Sequence, residues 1–412
     1  MSEKCGARNA ECRVASREGA EARKVKFGDI AINSVAKKKP TAEDAVHYIG
    51  LEHIDPGSFV VSRWGGDVAP VGDKLLMKKG DVLFGRRRAY QRKVAIAPFD
   101  GIFSAHGMVL RPKIDVIDEK FFPFFIASDQ FMDMAVKISV GGLSPTINWK
   151  TLKECEFNLP PLARQRELAN LLWAANDLKE SYKKAITATD EMLKAKFREM
   201  FGGVGDDASR GAAEPQRDGL YKGTSKHPMV SLEEVCKILT DGTHLPPKFS
   251  DSGIPFLFVS NIQNNRLTYE TNKYITLEQY NVLIKRTPIE IGDVLLTIVG
   301  SYGNPAVVES DKPFCFQRHI AYLKLKRNLI DPNFLHAAFL SEKVRNQIDT
   351  AAQGCAQKTV TLTSLRAIQI PLPPLSLQRE FVAIAERADA AKSALKQSIA
   401  DIDQVMKGLI NG

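Results

Sequence analysis

The chain has 412 residues, 44% of them hydrophobic and 25% charged, and its 57 Lys and Arg against 48 Asp and Glu leave a formal net charge of +9. These proportions belong to ordinary folded protein with room for two or three domains. They exclude a membrane-spanning chain, since the most apolar run, 289–299, is broken by Glu290 and Asp293, and they make a polyanion the first partner to consider.

Residues 1–24 are polar and mixed in charge, with Lys4, Arg8, Glu11, Arg13 and Arg17 and no apolar signal core, so they read as a disordered leader on a cytoplasmic protein. A first α+β domain is expected over 25–158. Short strands are expected at 46–54, 81–84, 93–97 and 108–110 among Gly and Pro turns, and a helix over 119–140 with Phe121, Phe122, Phe125 and Ile126 on its packing side. A strand at 156–159 leads into a long helix assigned to 159–201. Its entry is Leu159-Pro160-Pro161-Leu162-Ala163-Arg164-Gln165-Arg166-Glu167, with prolines suited to a helix start. The following stretch of about 39 residues without proline or internal glycine makes a rod of roughly 55–60 Å. Leu168, Leu171, Ala175, Leu178, Tyr182, Ala185, Thr189 and Met192 alternate at three and four residues, the pattern of an a/d heptad seam.

Residues 202–228, rich in Gly, Asp, Ser and Pro, read as a flexible linker. The plan then restarts. A second domain is expected over 229–371, with strands at 254–260, 293–299, 306–309 and 320–325 and a helix at 332–350 carrying Phe334, Leu335, Ala338 and Phe339. A second long helix, 372–412, opens on Leu372-Pro373-Pro374-Leu375-Ser376-Leu377-Gln378-Arg379-Glu380, 213 positions after the first copy. The same shift carries the seam to Phe381, Ile384, Ala388, Ala391, Leu395, Ser398, Ile402 and Val405, and aligns His106 with His319, Asp118 with Asp331, Gly141 with Gly354 and Thr146 with Thr359. Upstream it falls to 212 at Gly80-Asp81-Val82-Leu83 and to about 205 near Val25 and Val230. The expected architecture is a pseudo-two-fold internal repeat, in which two α+β domains are separated by two long antiparallel coiled-coil helices. Two readers on a spacer suit DNA, whose groove faces recur about every 34 Å.

Catalytic motifs are missing: there is no GxxxxGK[ST] loop, HExxH, GxSxG or GxGxxG turn. Gly300-Ser301-Tyr302-Gly303 lacks a phosphate-loop Lys and reads as a β turn, and Asp118-Glu119-Lys120 reads as an acidic helix start. Cys5, Cys12, Cys155, Cys236, Cys315 and Cys355 form no CxxC pair and lie at no zinc spacing with His, so neither a metal site nor a disulfide framework is expected. His106 and His319 suit either a structural place beside a strand or a DNA contact.

Candidate DNA contacts are more numerous. Arg86, Arg87, Arg88, Tyr90 and Arg92 follow a strand, and Lys38 belongs to a lysine run at 37–39. The second domain offers Thr243, His244, Asn261, Lys285, Arg286, Ser301, Tyr302, Gln317 and Arg318, which include the types that read adenine and guanine edges. Each of these also suits an ordinary solvated loop or turn. Leu168, Leu171, Leu178, Phe381, Ile384 and Leu395 are the seam residues expected to dock partners.

The paired proline-led entries, the long helices behind them, and Asp241-Gly242-Thr243-His244 followed by Gly253-Ile254-Pro255-Phe256 and Gly292-Asp293-Val294-Leu295-Leu296 resemble the specificity subunit of type I DNA restriction-modification systems. The resemblance implies that the domains are target-recognition domains, each reading half of a split, asymmetric double-stranded DNA sequence, and that the helices set the gap. It further implies docking of two modification (methyltransferase) subunits and of endonuclease/translocase subunits. S-adenosylmethionine, ATP and Mg would then sit on those partners, and this chain would hold no cofactor and carry no catalysis. The first domain has Arg86-Arg87-Arg88 where the second has Thr297-Ile298-Val299-Gly300, which leaves the first half-site unpredictable. The alternative is a coiled-coil scaffold that docks proteins without DNA specificity.

Overall fold

The computed structural model describes residues 22–66, 70–204, 224–354 and 358–411. Most of the expected leader and linker, with Cys5, Cys12 and Cys355, lies outside the described residues. Two compact units are present: one takes the chain through Tyr182 together with the residues from Gln397 onward, the other Lys183–Lys396.

The first unit is built on a four-stranded antiparallel sheet in spatial order Ala31–Ser34, Met108–Pro112, Val82–Phe84, Val94–Ile96. Val82–Phe84 is buried at every residue, as a central strand covered on both faces must be. A second sheet holds Lys37–Lys38, Lys74–Met77, Gly101–Phe103 and Tyr48–Ile49, the last pair parallel. Arg23–Lys26 pairs with Glu156–Leu159, the strand that feeds the long helix. The strand expected at 46–54 is instead Tyr48–Ile49 between two 3-10 turns, Ala42–His47 and Leu51–His53, the first closed by reciprocal Thr41 and Asp44 capping bonds. The helix expected over 119–140 is two, Phe122–Ala127 and Asp129–Lys137. Ser128 leaves the helical region with ψ 154 and its hydroxyl accepts from the Phe131 amide at 3.2 Å, starting a new helix. Phe27, Phe125, Phe131 and Phe157 meet beneath, with Phe27 and Phe131 centroids 5.1 Å apart.

The second unit repeats this plan. Its main sheet has the order Cys236–Asp241, Ile320–Leu325, Val294–Thr297, Pro305–Val307. Met229–Ser231 pairs with Gln369–Pro371, and the expected helix again splits, into Pro332–Leu340 and Glu342–Ala351 at Ser341. The shared Gly-Asp-Val-Leu also has a structural reason. Asp81 accepts from the Lys78 amide at 2.7 Å and from Arg111 at 2.7 and 2.8 Å. Asp293 accepts from the Glu290 amide at 2.9 Å and the Tyr322 hydroxyl at 2.7 Å, with Lys324 3.7 Å away.

The long helices run Leu162–Phe201 and Leu375–Asn411, 40 and 37 residues, the longer one about 60 Å at 1.5 Å per residue. The glutamine of the repeated entry is what ties each to its domain. Gln165, fully buried, accepts from the Asp118 amide at 2.8 Å and donates to Pro160 O at 2.8 Å and Val116 O at 3.5 Å. Gln378, also fully buried, does the same with Asp331 at 2.8 Å, Pro373 at 2.8 Å and Leu329 at 3.0 Å.

The helices pack together in each unit, but in the first long helix the seam differs in phase from the expected one. In the first long helix the covered stripe runs through Ala169, Leu172, Asn176, Lys179, Ile186 and Leu193, and Leu171, Leu178 and Met192 are exposed. In the second, Phe381, Ala388, Leu395 and Ile402 are on the covered side as expected, while Met406 is buried and Val405 exposed. Polar residues in the stripe account for the difference. In the first unit buried Lys179 donates to Asp403 at 2.8 Å and to Gly57 O at 3.1 Å. In the second, Lys392 donates to Asp190 at 2.7 Å and pairs with Asp389 at 2.7 Å. Lys392 and Asp403 are the repeat equivalents of Lys179 and Asp190, so one ion pair occurs twice with its helices exchanged.

Candidate nucleic-acid interface

Strand direction collects most of the candidate residues at one edge of each main sheet. In the first unit, Ala31–Ser34 and Val82–Phe84 end at this edge, and Met108–Pro112 and Val94–Ile96 begin there. The connections 85–93 and 104–107 therefore meet, with the Arg87 amide donating to His106 O at 3.2 Å. The second unit brings together the residues after Asp241, those after Thr297 and those before Ile320 in the same way.

The arginines of the first unit do different things. Arg86 Nη2 donates to Ala105 O at 3.1 Å, and its buried Nε has no hydrogen-bond partner. Arg87 Nη1 lies 3.4 Å from His106 Nε2. Arg88, held at φ 56, is exposed and reaches the Ser144 hydroxyl at 3.1 Å. Arg92 turns back to Ala127 O at 3.1 Å and Asp129 at 2.6 Å, where Asp129 also meets Lys407 and Asn411, so its guanidinium braces the domain. Tyr90 is exposed, and Lys38 is paired with Asp44 at 2.8 Å. The Lys38 ammonium, with the neighbouring amide and hydroxyl of Thr41, holds the Asp44 carboxyl at about 2. Burial, then Arg87 and Arg86, push the His106 imidazole below its ordinary value, and burial and Arg318 do the same to His319.

In the second unit Asp241, nearly buried, collects Arg286 at 2.6 Å and His244 at 3.0 Å, and Arg286 also reaches the Thr240 hydroxyl at 3.2 Å. Thr243 pairs in parallel with Gln317, and the Arg318 amide donates to Thr243 O at 3.0 Å. Gly242 permits that approach: a Cβ there would lie 2.3 Å from Phe316 O. His244, Arg286, Gln317 and Arg318 thus share one edge, with exposed Lys285 next to Arg286. Ser301 lies at the turn after Thr297 and is exposed, while Tyr302 is half-buried with the Arg345 guanidinium 5.3 Å from its ring. Asn261 is buried, its amide taken up by Phe258 N, Thr268 O and Glu270 O at 2.8–3.1 Å; no polar atom of that amide is left for a base.

Residue typing missed the hairpin 140–146. Val140 and Thr146 exchange backbone hydrogen bonds at 2.9 and 3.1 Å, Arg88 N donates to Pro145 O at 2.8 Å, and Ile147 N donates to Arg86 O at 3.0 Å. Its repeat equivalent joins Gln353 to Thr359 and Val299 to Thr359. Gly141 and Gly354 take φ +113 and +110, a region side chains rarely enter. The aligned Gly and Thr pairs were the available signal.

Of the docking candidates, Leu168 and Phe381 are buried in the cores of their own units, Ile384 and Leu395 are half-buried, and Leu171 and Leu178 are 53% and 45% exposed. Burial raises the thiols of Cys236 and Cys315 to about 12, leaving them unreactive. Among the described residues no cluster of His, Cys, Asp and Glu could hold a metal ion, and no helix is long and apolar enough to cross a membrane.

A chain with two like α+β domains, each offering cationic side chains at the same sheet edge and each anchoring a long helix, has the build of a duplicated recognition protein. The type I restriction modification DNA specificity domain matches it twice, over residues 23–188 and 225–404, and the chain belongs to that family. Similar proteins include the MjaVIII specificity subunit of a type I restriction enzyme from Methanocaldococcus jannaschii, 22% identical over 93% of this chain and 89% of the relative. The EcoKI specificity subunit from Escherichia coli K12 is 22% identical over 83% and 74%. The fold is shared with a chain in a structure of a type I R-M system studied for complex assembly and conformational transition, at TM-score 0.54, 20% identity and 95% and 96% coverage. It is shared also with the type I S subunit from M. genitalium, at TM-score 0.51, 14% identity and 96% coverage of both.

Proposed function

We propose that this chain is the non-catalytic DNA-specificity subunit of a type I restriction-modification complex. Each domain reads one half of a bipartite, asymmetric target, and the long helices set the gap. The observation that carries this reading is the repeated sheet edge: one framework presents Arg86, Arg87 and Arg88 in the first domain and His244, Arg286, Gln317 and Arg318 in the second, so two different surfaces serve one purpose. Arg with guanine and Gln with adenine form bidentate pairs in the major groove.

Leu171 and Leu178, exposed, seven residues apart and turned away from the covered seam, offer an apolar helical surface for modification subunits. Those subunits carry S-adenosylmethionine and methylate adenine; the endonuclease subunits bring ATP and Mg.

The test is binding of the assembled complex to its methylated motif across a salt series. Log K should fall linearly with log salt, with a slope near −0.9 per phosphate neutralised. A complex whose affinity ignores salt and sequence would favour a protein-docking scaffold.

A further inference from the structure

The hairpin 140–146 presents Leu143, 97% exposed, at its tip between Gly142 and Ser144. A single exposed leucine ordinarily means little. This one is placed by a stitched base: the Val140–Thr146 backbone pair, Arg88 N on Pro145 O, Ile147 N on Arg86 O, and the Arg88 guanidinium on the Ser144 hydroxyl at 3.1 and 3.2 Å. The tip therefore projects from the same edge as Arg86, Arg87 and Arg88 and is fixed to that strand. A two-stranded ribbon fits the major groove of B-DNA, where the only apolar group a base pair offers is the thymine 5-methyl. The residue aligned with Leu143 at the repeat's shift of 213 positions is Ala356, so the sequence offers such a contact to the first half-site alone.

We infer that Leu143 is a specificity-determining residue that packs against a thymine methyl group in the half-site read by the first domain. The inference rests on the DNA-specificity reading above and names one contact within it. The Arg88 guanidinium lies against the tip at Ser144 and Arg87 pairs with Thr146 at its base, so cations suited to phosphates accompany the leucine.

The test uses the assembled complex and duplexes carrying its mapped motif, with each thymine of the first half-site replaced in turn by deoxyuridine. One replacement should weaken wild-type binding about fourfold, the burial value of one methyl group. L143A should bind more weakly and be insensitive to that same replacement, while its thermal unfolding stays that of the wild type because the side chain is exposed. If no deoxyuridine weakens the wild type, or if L143A keeps the full sensitivity, the contact does not exist. Loss of preference for the split motif by the wild-type complex itself would instead remove the underlying reading, so the two failures are distinct.

Discussion

Replacing Gln378 with Leu removes a clamp and keeps the volume. Gln378 accepts from the Asp331 amide and donates to the carbonyls of Pro373 and Leu329, all at 2.8–3.0 Å and fully buried. The leucine would strand one N–H and two carbonyls, at about 1–3 kcal/mol each, with the carbonyls at the low end. Set against roughly 1 kcal/mol from added apolar burial, the net cost is about 3 kcal/mol. In Gln165→Leu one of the three bonds is already long, 3.5 Å to Val116 O, so the cost should be smaller, about 2 kcal/mol. Hydrogen exchange of the full chain reads this locally: the Asp331 amide should lose about a hundredfold of protection in Q378L, and the Asp118 amide less in Q165L. An unchanged Asp331 amide, or a greater effect of Q165L, would refute the clamp.

Asp403→Ala leaves the buried Lys179 ammonium with one carbonyl and should cost about 1–3 kcal/mol, reduced because Asp403 is half exposed, whereas Lys179→Met should be nearly neutral; chemical denaturation of both variants decides the order. Asp241→Ala frees Arg286 and His244 and should weaken binding about tenfold, with preference altered in one half of the target only, read by competition with half-site variants. Arg92→Ala should lower stability by less than about 1 kcal/mol without changing base preference, while Arg88→Ala should lower affinity and reduce the salt slope by about one. Burial holds His106, His319 and His336 below their ordinary value. Their neutral forms add stability that is complete above about pH 6.5 and lost as pH falls below it, so the unfolding midpoint should drop from pH 7 to 5 and drop less in H106Q/H319Q.

The duplication was legible because both copies obey the same local rules: proline at the helix entry, a glutamine three residues into the helix, a glycine-aspartate turn before a central strand. The phase of the helix seam was not. In the first long helix Lys179 occupies a covered position and Leu171 and Leu178 exposed ones, so an apolar pattern there points one residue away from the true stripe. Charge type pointed to Arg86–Arg88, which the fold brings to one sheet edge beside His106. It could not show that Arg92 is committed to Asp129 or that Asn261 holds its own turn, because those partners are fixed by tertiary approach. The hairpin around Leu143 carries no charge and reads as an ordinary loop until its backbone is seen joined to Arg87 and Arg88.

The central claim is sequence specificity of DNA recognition, and methylated-adenine mapping by long-read sequencing tests it most directly. Cells carrying this gene and its neighbours are compared with cells lacking only this gene. Loss of methylation at one split motif with a fixed gap is the expected result. Methylation that persists at every motif, with the modification partner expressed and active, would contradict the claim.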